Sequence, residues 1–113
     1  YDYQCAACGL RVLVDDLAIV DAAHIIPVSI SRDNDPRNGI ALCKNHHWAM
    51  DSFLITPFPD MRWHAHPRLD GRIAGHARLK ELDNQSIILP RQGRFNPRSD
   101  VLQWRREELR RRK

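Results

Sequence analysis

Apolar positions along the chain come in short blocks separated by polar stretches. Leu10–Val14 and Ala18–Ile26 are rich in Val, Ile and Leu, with Asp15-Asp16 as a break between them, and this predicts two strands. Pro27 to Gly39 is polar, with Pro, Asn, Asp and Gly, and reads as a loop. Ile40–Ser52 carries apolar residues at Ile40, Leu42, Trp48, Ala49 and Met50 without Gly or Pro, which predicts a helix starting near Asn38 or Gly39. Phe53–Ile55 and Met61–Ala65 flank Thr56-Pro57-Phe58-Pro59-Asp60, the pattern of a short hairpin. A short helix around His76–Leu82, a short strand over Ser86–Leu89 stopped by Pro90, and a C-terminal helix from Val101 with Ser99 or Asp100 as its cap complete the elements. The fold class is α+β. Its informative unit, a hairpin, a loop and a helix, lies in residues 1–55, and residues 56–113 form an extension packed on it.

Three cysteines change this picture. Cys5-x-x-Cys8 opens the chain beside Gly9, and Cys43-x-x-His46 falls at the expected helix. Two intervening residues is the spacing at which one turn brings both donors onto one small ion. The two halves predict a closed tetrahedral zinc site, structural in kind, with His46 preferred to the adjacent His47 as fourth ligand. An odd cysteine count argues against a disulfide framework and fits a reducing, cytoplasmic compartment.

The chain has 113 residues, of which 42% are hydrophobic, enough for a small core that a metal staple would reinforce. No apolar run is long enough to span a membrane and no signal peptide is visible. Because the sequence opens at Tyr1, a fragment of a longer protein is expected. The net charge is +4, with positive residues gathered in Arg91–Arg98 and in Arg105, Arg106, Arg110, Arg111, Arg112 and Lys113. Such patches attract phosphate backbones without sequence preference, or form a solvated tail; basicity permits a nucleic-acid partner without establishing one.

The stretch Asp21-Ala-Ala-His24-Ile-Ile-Pro27, followed by Asn38-Gly-Ile-Ala-Leu-Cys43-Lys-Asn-His46-His47, resembles the HNH endonucleases. More narrowly, Tyr-Asp-Tyr-Gln-Cys5, Asp35-Pro-Arg-Asn-Gly and His47-Trp-Ala-Met-Asp51 look like the HNH domains of bacterial restriction endonucleases, several of which join this domain to a reader of modified DNA. The resemblance covers about half of the chain, roughly Tyr3 to Ile55, and implies a ββα-metal (His-Me finger) fold bracketed by zinc knuckles. It implies that His24 is the general base that activates water for phosphodiester hydrolysis, that Asn38 fixes the loop and orients the hairpin, and that the helix supplies the catalytic metal ligands. His47 and Asp51 are i and i+4 on that helix, so they share a face and make a ready ligand pair for Mg²⁺, Mn²⁺ or Ni²⁺. Asn38 has a second reading, as a helix N-cap. Many family members place Asp or His just before the catalytic His, where this chain has Ala23; Asp21 has the same strand parity and could reach in.

Arg37, Arg105 and Arg106 are the chosen phosphate contacts, with Arg11 and Arg32 near the cleft. His64, His66 and His76 read as surface or packing residues, and Trp48, Trp63 and Trp104 as packing rather than base-stacking platforms. The leading expectation is a DNA endonuclease acting on duplex DNA, leaving 5′-phosphate and 3′-hydroxyl ends. A homodimer is expected, because cutting both strands usually needs two such sites, and so is an upstream DNA-reading domain. The rival is a zinc-stapled module that binds nucleic acid without cutting it. A third reading is an interaction domain whose basic tail docks on an acidic partner.

Overall fold

A computed structural model describes residues 1–112, so Lys113, counted above in the basic tail, lies outside the described residues. The chain is a small mixed α+β domain built of three two-stranded antiparallel ribbons and four helices among the described residues. β1 (Leu13–Val14) and β2 (Leu17–Ala18) form a short, exposed ribbon after the cysteine knuckle. β3 (Val20–His24) follows, then one turn of helix α1 (Val28–Ser31) and a tight turn over Pro36–Asn38. β4 (Gly39–Cys43) returns antiparallel to β3, pairing Val20 with Cys43, Ala22 with Ala41 and His24 with Gly39. Helix α2 (Lys44–Asp51) begins without a linker and packs on both strands. Together β3, β4 and α2 are the ββα unit.

The expected helix from Asn38 or Gly39 is therefore a strand as far as Cys43, and the hairpin partner of β3 is β4 rather than Leu10–Val14. Ile40 and Leu42 are buried while Ala41 between them is only half so, which is the period of two proper to a strand. Gly39 suits the start of β4: a Cβ there would stand 3.2 Å from the Pro36 carbonyl oxygen. Asn38 is not the cap of α2 either, since Cys43 occupies that position.

Beyond α2 come β5 (Ile55–Pro57), β6 (Trp63–Ala65), α3 (Ala74–Lys80) and α4 (Ser99–Arg111). Ser86–Leu89 does not form the expected strand; its ladder contact is a single bridge between Ser86 and Arg62. Helix α4 starts earlier than expected, with Arg98 rather than Ser99 or Asp100 at the cap position.

One apolar cluster draws on the whole chain, joining Ile25, Leu42 and Met50 of the ββα region to Ile55, Trp63, Ile87, Val101 and Leu102. Hydrogen bonds reinforce it. The Ala6 carbonyl accepts from Trp63 Nε1 at 3.1 Å and from the Ile88 amide at 2.9 Å, so the knuckle is held by residues more than fifty positions away. Trp63 is fully buried, as packing requires, but Trp48 is 62% exposed on α2 and contradicts the packing expectation.

Arg105 is a second correction. Expected at a phosphate, it is 1% exposed, stacks on Phe53 with its guanidinium carbon 4.1 Å from the ring centre, and donates to the carbonyls of Ile25 (3.0 Å) and Met50. Burial lowers its pKa to about 10, which still leaves it charged at neutral pH. It adds a charged donor to the Ile25 carbonyl just past β3 and to the Met50 carbonyl at the end of α2, which also accepts from the Phe53 amide at 3.0 Å. Arg105→Ala is expected to lower stability by about 3 kcal/mol, because two buried acceptors lose a charged donor. An unchanged urea midpoint would mean that water replaces the guanidinium.

Candidate active site and metal cluster

Folding brings both cysteine halves together. Gly9 adopts φ +78°, a conformation favourable to glycine, and its amide closes the knuckle onto the Cys5 carbonyl at 2.9 Å. The Ala6 amide donates to the Ala41 carbonyl at 2.8 Å, which presses the knuckle against β4. As a result one donor atom from each of Cys5, Cys8, Cys43 and His46 lies within 4.8 Å of every other. His46 Nδ1 is 3.2 Å from Cys43 Sγ and 3.7 Å from Cys5 Sγ. Burial opposes ionisation of Cys5, yet hydrogen bonds from His46 and from nearby backbone amides draw its thiol down to about 6. Burial pushes the Cys8 thiol up to about 12, with the Cys5 and Cys43 sulfurs adding to the effect. Three sulfurs and one imidazole nitrogen thus form a four-donor cluster of a kind that could hold a metal ion.

His47 lies outside that set. Its Nδ1 is 3.0 Å from Asp21 Oδ2 on β3, and its Nε2 is 3.3 Å from Asp51 Oδ2 one turn along α2. Lys44, at the start of the same helix, donates from Nζ to Asp21 Oδ1. Hydrogen bonding with His47, then with Lys44, holds the Asp21 carboxyl below the usual range. The structure thus assembles His47, Asp51, Asp21 and Lys44 into one connected group. Asp21, weighed in the sequence only by its strand parity, is in contact, whereas Ala23 on the same face is buried with the core. Lys44 was missed; its signal was the i, i+3 spacing to His47 at a helix start.

His24 stands three residues beyond Asp21 on β3, roughly 10 Å along the strand. Among the described residues its hydrogen-bond partner is Asn34, whose Oδ1 lies 3.1 Å from His24 Nε2. Asn38 is fully buried. Its Oδ1 accepts from the Ile26 amide at 2.9 Å, and its Nδ2 donates to the carbonyls of Ile26 (3.1 Å) and Asp33 (2.9 Å). The amide side chain therefore ties both ends of the β3–β4 connection just past His24.

Of the remaining expected phosphate contacts, Arg37 is exposed but forks onto Asp35, with Nη2 2.7 Å from Oδ2, and Arg106 is half-buried against Gln103. His64 stacks on Phe58 at 3.9 Å and bonds Asp60 at 2.8 Å; His66 and His76 accept from the backbone amides of Arg68 and Asp70.

A hairpin followed directly by a helix, with a histidine-carboxylate group between strand and helix, defines a ββα architecture. Residues 5–56 match the family model described as HNH endonuclease, and this segment is an HNH-family domain. Among solved structures the chain is similar to one titled "Modification dependent TagI restriction endonuclease", with a TM-score of 0.65 and 21% sequence identity over 94% of this chain. The match covers 33% of that chain, so the present one spans about a third of its length. No curated protein matches the chain. Among the described residues no helix is long and apolar enough to cross a membrane.

Proposed function

We propose that this chain is the nuclease domain of a metal-dependent DNA endonuclease of the restriction type, hydrolysing phosphodiester bonds to 5′-phosphate and 3′-hydroxyl ends. The observation that carries this reading is the placement of His24 and of the Asp21–His47–Asp51 group on a single ββα unit of an HNH-family domain.

A divalent cation such as Mg²⁺, Mn²⁺ or Ni²⁺ fits the histidine-carboxylate group on its donor chemistry. His47 has a carboxylate within reach of each ring nitrogen, and a neutral imidazole can donate to only one of them. A cation held by His47 Nε2 and Asp51 would leave the Nδ1–H to Asp21, the usual way a ligating histidine is oriented from behind. Bound there, the ion supplies Lewis-acid stabilisation to the scissile phosphate and leaving oxygen. His24 takes the proton from the attacking water. Asn38 keeps the connection after His24 in place, and Lys44 adds positive charge beside the phosphate. The Cys5, Cys8, Cys43 and His46 set would hold a zinc ion of structural kind. Residues 56–113 act as an extension that braces the unit through Trp63 and Arg105. A homodimer and an upstream DNA-reading domain complete the proposal, since DNA is cut on two strands and this domain would grip backbone more than sequence.

Supercoiled plasmid incubated with the protein and each cation should be nicked, and omission of the added cation should stop it. Binding without nicking under every cation would return the chain to a zinc-stapled binding module. Asp21→Ala should weaken Mn²⁺ binding, read by calorimetry, by about 10- to 100-fold. Unchanged affinity would reduce Asp21 to an ion-pair partner of Lys44.

A further inference from the structure

The loop between β3 and β4 holds an arrangement that no role assigned above requires. Asn34 projects from it onto His24, with Oδ1 3.1 Å from Nε2. The residues on either side of Asn34 are pinned. The Asp33 carbonyl accepts from buried Asn38, and its Oδ1 accepts from the Asp35 amide at 3.0 Å. Asp33 Oδ2 takes a 2.6 Å bond from Arg98 Nη2, and Arg98 Nη1 lies 3.5 Å from Asp35 Oδ2. Arg98 also donates its amide to the Arg37 carbonyl at 3.0 Å. An arginine at the entrance of α4, 65 residues from Asp33, thus clamps both neighbours of Asn34, although Asn34 itself is exposed.

With its amide oxygen turned to the ring, Asn34 can only accept, and in that arrangement a neutral His24 carries its proton on Nε2 and keeps the lone pair on Nδ1. We infer that Asn34 is a positioning residue that holds His24 in the Nε2–H tautomer and presents Nδ1 as the base, with Arg98 anchoring the loop that carries it. This rests on the reading of His24 as general base. Removing Asn34 frees the ring to turn about its side-chain bond and to exchange tautomers, so only part of the population is aligned for proton transfer.

The test combines long-range ¹⁵N–¹H spectra of the His24 ring with steady-state nicking kinetics of the whole chain. Wild type should show one tautomer, Nε2–H. Asn34→Ala should show both in exchange, with kcat lowered roughly 10- to 100-fold, since misplacing a reacting group by about 1 Å can cost about 10²-fold, and with KM and melting temperature unchanged. Asn34→Asp, which can still accept, should restore the single tautomer and most of the rate. A single Nε2–H signal in Asn34→Ala, or an unchanged kcat in that variant while His24→Ala is inactive, overturns the inference and leaves the base reading intact. Wild-type nicking by His24→Ala would remove the base reading itself, and the inference with it.

Discussion

His24→Ala should abolish plasmid nicking while leaving the domain folded. The side chain is half-exposed at the end of β3, and its hydrogen bond goes to a surface asparagine, so truncation opens no cavity in the core. Loss of a general base costs about 10²–10⁴-fold in rate. With the Asp21–His47–Asp51 group untouched, divalent-ion binding should persist in the variant, which separates loss of chemistry from loss of metal. Retained Mn²⁺ affinity and retained thermal midpoint, with nicking down by at least two orders of magnitude, is the expected combination. Equal nicking by wild type and His24→Ala would sink the mechanism.

Cys43→Ser should have the second large effect, this time on the fold. Cys43 ends β4, pairs with Val20 and occupies the cap position of α2, so it is the point at which knuckle, hairpin and helix meet. Apparent zinc-binding energies of about 10–16 kcal/mol in small zinc domains match or exceed the 5–15 kcal/mol total stability of a typical domain. Elemental analysis should find about one zinc per wild-type chain. Cys43→Ser should lose it, together with cooperative melting, and chelation of the wild type should reproduce the result. Zinc retained in full by Cys43→Ser would mean that the ligands are wrongly assigned.

The pieces of both side-chain clusters were legible because each is local: Cys-x-x-Cys, Cys-x-x-His and the His47/Asp51 pair each span one turn of chain. The strand nature of Ile40–Cys43 was obscured because an apolar segment of four residues without Gly or Pro satisfies either period, and only pairing with Val20–His24 decides it. Arg105 was misread for a related reason. In an arginine-rich tail, composition gives no hint that one guanidinium turns inward to Ile25 and Met50. Trp48 errs the other way, since its neighbours Ala49 and Met50 are buried and it is not. Asn34 carries no sequence signal, because its contact with His24 exists only once Asn38 and Arg98 have shaped the loop.

Helix α2 serves two neighbouring residues in opposite senses: His46 turns to the sulfurs and His47 to the carboxylates. Consecutive helical residues point about 100° apart, so the knuckle fixes the azimuth of α2 about its own axis, much as a key fixes a shaft. The direction of His47 is then set within the five residues from Cys43 to His47 and is independent of the path that leads there. The exposed β1–β2 ribbon can change length without turning the histidine. One residue added between Cys43 and His47 would swing it about a quarter turn away.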